Sequence, residues 1–232
     1  MRVLVTGATG FLGGRVAETL AARRHRVTAT GRVFTAQRRG RLEALGVGLV
    51  TADLTDASAI EALTIDVDAV VHCAALSTLW GRWADLQRMN VDVPIRLAEA
   101  CSQRGIRLVH VSSPSIYNRA VHDDPSWGTP DRPVPETLPL GPRFDSDYAR
   151  SKWLSDVAVR EIHPQACVLR PRGIYGPGDT SIIPRVTAAL RAGRLPRLVE
   201  GEVLTDLTHV DNAAHAATLA VEGAIAGPVN IA

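Results

Sequence analysis

Met1-Arg2-Val3-Leu4-Val5-Thr6-Gly7-Ala8-Thr9-Gly10-Phe11-Leu12-Gly13-Gly14 opens the chain, and its reading decides the fold. Arg2–Thr6 is a short β-branched run that reads as a strand, and Phe11–Arg23 carries apolar residues at helical spacing. Between them, glycines at 7, 10 and 13 allow a tight turn, close backbone approach to a pyrophosphate, and close helix–strand packing. The helix N-terminus then offers free amides and a positive dipole end to the phosphates. The spacing is GxxGxxG, not GxGxxG, and a glycine pattern alone is weak. A strand before it and a helix after it give it meaning. Gly7, Thr9, Gly10, Phe11, Leu12 and Gly13 are therefore the expected phosphate-binding residues.

The same rhythm continues outward. Further strands are expected at Arg26–Thr30, Gly48–Ala52, Ala69–Cys73, Arg107–Ser112 and Ala166–Arg170, with amphipathic stretches at Ala57–Leu63, Ala84–Arg104 and Asp147–Ile162. Strands separated by helix-length segments predict an α/β fold, a doubly wound parallel sheet of Rossmann type. Two stretches break the alternation. Asn118–Asp147, rich in proline, glycine and charge, reads as a long functional loop. After Tyr175, Gly-Pro-Gly-Asp introduces a helix-like segment, Ile182–Ala192. The organisation expected is a dinucleotide-binding domain over residues 1–174. Residues 175–232 are read as a partial substrate-binding region that returns to the core near 205–232. The chain stops in a strand-like Val229-Asn230-Ile231-Ala232, and more protein is expected beyond it.

Bulk properties narrow the function. The 232 residues suffice for one well-buried domain and a little more. A net charge of +2 gives no electrostatic reason to expect nucleic acid or an anionic membrane. Cys73, Cys101 and Cys167 are scattered and form no CxxC pair, so neither a disulfide framework nor a metal site is expected. No apolar run approaches the ~20 residues of a membrane span, and the N-terminus is not a signal peptide. Cytoplasmic is the expected location. Of 26 basic residues, the only lysine is Lys152. Where arginine serves everywhere else, that lysine marks a place suited to a compact ammonium.

The second strand ends in Gly31-Arg32, where an acidic residue would otherwise accept from a ribose 2′-hydroxyl. Arg32, with Arg38 and Arg39 nearby, suits a 2′-phosphate, so NADP is expected and NAD is the alternative. Asp53-Leu54 follows the third strand, placing a carboxylate against the adenine amino group or, alternatively, an N-cap on the next helix. Tyr148-Ala149-Arg150-Ser151-Lys152 sets a phenol and an ammonium four apart on one helix face. A free phenol has a pKa near ~10. The neighbouring ammonium, with a cationic oxidised nicotinamide, is expected to lower it, so that Tyr148 exchanges a proton with a carbonyl or alcohol oxygen as hydride moves. Lys152 is also expected to reach the nicotinamide ribose. Ser113, at the end of the fifth strand, is the choice to hold the reacting oxygen, with Ser115 the alternative.

Together these residues resemble the extended short-chain dehydrogenase/reductases, the NAD-dependent epimerase/dehydratase family. The matching pieces run in order from TGATGFLGG through DLTD at Asp53–Asp56, HCAA at His72–Ala75, Asn90-Val91 and SSPSIY. YARSK, RPRGIYGPGD from Arg170, and HVDNAAHA from His209 complete the series. The resemblance implies that Ala74 and Ala75 line the cofactor cleft. It also implies that Pro171, Gly173 and Ile174 pack beside the nicotinamide amide. His209 and Asp211 read as structural. Within the family the likeness is to the 3β-hydroxysteroid dehydrogenase-like branch with its 2-alkyl-3-oxoalkanoate reductases. That branch implies a small, hydrophobic ketone or alcohol substrate, sterol-like or 3-oxoacyl. Trp80, Trp83 and Trp127 are candidates for an apolar wall against it, or for plain packing. A homodimer paired through helices is usual in the family, although no residue here marks one. A nucleotide-sugar epimerase or dehydratase is the runner-up. Dehydratases carry an Asp-Glu pair directly after the Ser113 position, where this chain has Pro114-Ser115. A non-catalytic NADP sensor is the third reading, and it has no need of the Ser113, Tyr148 and Lys152 set.

Overall fold

The computed structural model describes residues 1–78, 81–140, 142–194 and 206–232. The first half of the chain alternates β1 (Arg2–Thr6), α1 (Phe11–Ala22), β2 (Arg26–Gly31), α2 (Ala36–Glu43), β3 (Gly48–Thr51), α3 (Ala57–Leu63) and β4 (Ala69–His72). Next come α4 (Trp83–Gln87), a π-helical turn (Arg88–Asp92), α5 (Val93–Arg104) and β5 (Arg107–Val111). A 3-10 turn (Pro114–Tyr117) leads to α6 (Asn118–Asp123), and after a long connection to α7 (Asp147–Ile162) and β6 (Cys167–Pro171). The last elements are β7 (Gly173–Tyr175), α8 (Ile183–Arg191), β8 (Leu207–His209), α9 (Val210–Glu222) and β9 (Gly227–Ile231).

Seven strands form one parallel sheet in the order β3-β2-β1-β4-β5-β6-β9, the doubly wound arrangement expected. Alternation within each strand divides the core. Val3, Val5, Val71, Val109, Cys167 and Leu169 face α1 and α9, where Val16, Leu20, Ala214, Ala217 and Val221 meet them. Leu4, Val70, Leu108 and Val168 face α3, α5 and α7, against Ile60, Leu97, Cys101 and Val159. Each buried Val or Leu contributes roughly 1.5–3 kcal/mol of transfer free energy. A one-residue slip of any strand would exchange the two faces. The alanines of α9 let it lie close along α1.

The order reverses between β1 and β4, so the connections on either side leave toward opposite faces. A crevice opens there at the carboxyl ends of the strands. β7 and β8 stand apart as a two-stranded parallel pair. The stretch from Asn118, expected as a loop, begins with the helical α6. The stem before α7 is pinned to the sheet. Asn230 of β9 donates its N–H to Glu136 Oε1 at 2.9 Å and its amide to the Val134 carbonyl at 3.0 Å.

Two glycines separate close packing from helix propensity. Gly13 has no room for a β-carbon, which would stand 2.4 Å from the Gly7 carbonyl oxygen, whereas Gly40 in α2 has nothing within 4 Å. Gly13→Ala should therefore destabilise the chain by roughly 1–3 kcal/mol through overpacking. Gly40→Ala should stabilise it by roughly 0.5–1 kcal/mol. Urea midpoints of the two variants are expected to move in opposite directions; movement the same way would contradict the packing described.

Candidate active site

The glycine turn closes at the point where the sheet order reverses. Gly7 has φ +68°, and a β-carbon there would lie 2.7 Å from the Ala74 nitrogen, so the turn and the chain leaving β4 touch backbone to backbone. Ala74 donates its N–H to Thr6 Oγ1 at 3.3 Å. Gly10 is the N-cap of α1 and brings no side chain to the helix's first amides. Those donors and the positive helix end fit a dinucleotide's diphosphate. Thr9 packs over Gly31, and the Phe11 ring lies beside Gly178. Leu12 is partly buried on the core.

A cleft of about 300 Å³ opens at the carboxyl ends of β2, β3 and β4, lined among others by Arg32, Asp53, Thr55, Ala75, Arg88 and Met89. Arg32, Asp53 and Ala75 are thus brought together. The Asp53 carboxylate accepts from the Thr55 N–H and hydroxyl, both at 2.9 Å. Those bonds, with the charges of Arg32 and Arg88, hold it below the usual carboxylate range. Asp53 caps no helix; Asp56 caps α3 by accepting from the Ser58 N–H at 2.9 Å. Leu54 follows directly. Its side chain is buried with Ile60 and Leu97, because an apolar chain beside the core gains more there than along a polar cleft.

Arg38 and Arg39 do not join Arg32. Arg38 and Arg41, with Arg15, surround buried Glu18 at 3.6, 2.7 and 3.0 Å. Arg39 pairs with Glu43 at 3.3 Å. A buried carboxylate requires such partners, and Glu18 takes the arginine that the sequence placed at the cofactor.

Tyr148, Lys152 and Ser113, the residues expected to react, gather where β4 and β5 end. Ser146 caps α7 by accepting from the Ala149 N–H at 3.1 Å, which sets Tyr148 in the first turn and Lys152 one turn on. Burial pushes the Tyr148 phenol above its ordinary 10.0, against hydrogen bonding with Ser113 and Ser77 that pulls it down. The expected lowering by Lys152 is not seen. Its ammonium is turned to the Val111 carbonyl, 2.7 Å away. Burial brings Lys152 itself from 10.5 down to about 8, opposed by Asp156 and Cys73. His72 and His110 occupy registered positions in β4 and β5, with stacked rings 5.5 Å apart. Burial and then the Lys152 charge hold His72 at about 3 and His110 well below 6.5, so both are neutral at physiological pH. Ser115 backs Ser113, with their hydroxyl oxygens 2.9 Å apart.

Two residues escaped the sequence reading. Ser77, just past β4, is the second hydroxyl on the phenol; its place beside the crevice was its signal. Asn90, known only as a piece of a motif, is a brace. It accepts from the Leu76 N–H at 2.7 Å and donates to the Leu76 carbonyl at 3.1 Å and to Ser151 Oγ at 3.0 Å. It ties the segment carrying Ser77 to α7 between Tyr148 and Lys152, and it lies in the π-helical turn, a geometry frequent at functional sites.

Pro171 ends β6, while Gly173 and Ile174 belong to β7, with Gly173 facing Leu207 and Ile182. Trp80 lies outside the described residues. Arg150 lies over the Trp83 ring at 4.4 Å and Arg132 over the Trp127 ring at 3.6 Å, so each indole has a cation on one face. His209 caps α9, accepting from the Asp211 N–H at 3.3 Å, and Asp211 pairs with Arg15 at 2.5 Å. Both are structural ties. No helix among the described residues is long and apolar enough to cross a membrane.

Comparison with known proteins supplies the relationship. The chain is 35% identical over 231 residues to a 2-alkyl-3-oxoalkanoate reductase of Stenotrophomonas maltophilia, covering 98% of this chain and 67% of that one. It is 28% identical over 193 residues to a 3beta-hydroxysteroid-dehydrogenase/decarboxylase of Arabidopsis thaliana, covering 81% and 41%. The structure of the dTDP-glucose 4,6-dehydratase DesIV from Streptomyces venezuelae, solved with NAD bound, matches with TM-score 0.81 and 27% identity over 100% of this chain and 75% of that one. The chain thus spans about two thirds, or less, of the length of these curated relatives. The family model for NAD dependent epimerase/dehydratases matches residues 3–232. With that match over a seven-stranded doubly wound sheet and a glycine turn at its switch point, the chain belongs to the NAD dependent epimerase/dehydratase family.

Proposed function

We propose that this chain interconverts a ketone and a secondary alcohol on a hydrophobic substrate, sterol-like or 3-oxoacyl, using NADP in preference to NAD. The observation that carries the reading is the buried Tyr148 phenol, whose pKa the Ser113 hydroxyl at the carboxyl end of β5 pulls down against burial, on the helix that carries Lys152. The relationship to a 2-alkyl-3-oxoalkanoate reductase supports the substrate class.

The bound nicotinamide supplies or accepts a hydride at the substrate carbon. The chain's own residues manage the oxygen. With its pKa raised, Tyr148 keeps its proton at neutral pH, ready to give it to a carbonyl oxygen as that oxygen gains negative charge. Ser113 holds the same oxygen by a hydrogen bond, and Ser115 fixes the Ser113 hydroxyl. Lys152, buried and cationic up to about pH 8, favours negative charge as it develops nearby. Gly7 to Gly13 receive the diphosphate, with Asp53, Ala74 and Ala75 along the adenosine side and Pro171, Gly173 and Ile174 toward the nicotinamide. Arg32, which lines the cleft while Arg38 and Arg39 are engaged elsewhere, takes the 2′-phosphate. Residues 1–174 hold the dinucleotide, and 175–232 contribute to the substrate side before rejoining the core. Three free thiols fit a cytoplasmic setting.

A second reading, a nucleotide-sugar epimerase or dehydratase, is favoured by the likeness to DesIV, a dTDP-glucose 4,6-dehydratase. Dehydration fits less well, because Pro114 and Ser115 stand where dehydratases carry their acidic pair.

Three measurements test these assignments. Tyr148→Phe should lower turnover by ~10²–10⁴-fold with little change in cofactor binding, and unchanged turnover would remove the mechanism. Arg32→Ala should weaken NADPH binding by roughly 10–100-fold, the worth of a charge-assisted bond, while leaving NADH within about threefold. A thermal-shift screen of UDP- and dTDP-sugars against 3-oxoacyl compounds and 3-keto sterols should favour the hydrophobic ketones. Selective stabilisation by the sugar nucleotides would move the assignment to the second reading.

A further inference from the structure

Asp156 stands one helical turn beyond Lys152 on α7, so the two side chains share a face. Its carboxylate is fully buried. Arg170 of β6 grips both oxygens, Nε to Oδ2 and Nη2 to Oδ1, each at 2.8 Å, and Arg160 donates to Oδ1 at 3.0 Å. Arg170 in turn donates to the Tyr117 hydroxyl and the Glu136 carbonyl. The carboxylate cannot rotate without breaking this grip, which fixes its place one helical turn from Lys152.

Around Lys152, among the described residues, the other ionisable groups are neutral near pH 7. His72 on β4 and His110 on β5 have lost their charge to burial. Burial pushes the Cys73 thiol up to about 12, and the Tyr148 phenol above 10.0. The remaining neighbour of the amine is the Val111 carbonyl of β5. An ammonium in such surroundings pays a desolvation cost that neutral dipoles only partly offset.

We propose that Asp156 is a positioning residue that acts through Lys152, its fixed charge one turn away keeping the buried amine an ammonium aimed at the Val111 carbonyl. The proposal deepens the proposed function, resting on Tyr148 and Lys152 as the reacting pair, but its test does not depend on that reading. Lys152 is the sole lysine in the chain, so protein labelled with [13C,15N]lysine has one Cε–Nζ signal. Its shift against pH gives the amine's pKa without substrate or cofactor.

In the unaltered protein the midpoint should fall near 8. In Asp156→Asn it should fall by about one unit, a tenfold loss of proton affinity. That change leaves Arg170 buried without its anion and can unfold the chain. The double variant Asp156→Asn with Arg170→Gln, which removes both charges, is therefore titrated beside it. A lowered midpoint in either folded variant supports the proposal. An unmoved midpoint overturns it, and so does failure of both variants to fold, since the pair would then be purely architectural. Unchanged turnover in Tyr148→Phe would sink the reading of the reacting pair and leave this titration standing.

Discussion

Backbone contact between Gly7 and Ala74 governs the carboxyl edge of the sheet. β1 and β4 are neighbours where the winding reverses, and a side chain at Gly7 would force the turn away from the chain leaving β4. Because the contact is tight, α1 starts directly over the crevice with its free amides turned to it. The chain leaving β4 becomes the opposite wall. Asn90 then carries the constraint onward, holding Leu76 by both its N–H and its carbonyl while bonding to Ser151. A fixed path therefore runs from the glycine turn to the helix that carries Tyr148. The site is rigid because its two halves share this wall, and rigid placement is what a catalytic constellation requires.

Burial sets the electrical character of the site. It raises the phenol of Tyr148 and the thiol of Cys73, and it lowers Lys152, His72 and His110, so each group is moved toward its neutral form. In such a medium, charge that develops on a substrate oxygen has few competing dipoles from water, and each donor counts for more. A phenol that holds its proton suits donation to a ketone better than abstraction from an alcohol.

Much of this was legible in the residues. The period-two strands divided into faces as their alternation demands, and the strand–glycine–helix opening placed the crevice before any coordinates. The failures have physical causes. α9 was legible in principle, since Val210, Ala213, Ala214, Ala217 and Val221 fall at helical spacing, yet His209 and Asp211 drew the reading toward isolated polar residues. β7 and β8, three residues each, are too short to show a period. Arg38 could not be assigned locally, because Glu18, its partner, lies on another helix. The burial that raises the Tyr148 phenol was not visible in the sequence. A pair at i and i+4 shows that two groups share a face, but burial and the turn of Lys152 toward Val111 exist only in the folded chain.

One arginine links the reacting helix to the long connection before it. Arg170 grips Asp156 of α7 with two of its nitrogens and reaches Tyr117 and the Glu136 carbonyl with the third. Tyr117 donates to Asn230 of β9 at 3.1 Å, and Asn230 holds Val134 and Glu136. Helix, strand and loop stem thus meet in one buried polar network, where each bond polarises the next and none can be removed without stranding another. The stem cannot shift independently of α7. A substrate that displaced it would have to break bonds to the group that steadies Asp156. Trp127 and Arg132, which stack on one another in the loop that this stem closes, lie clear of the buried network.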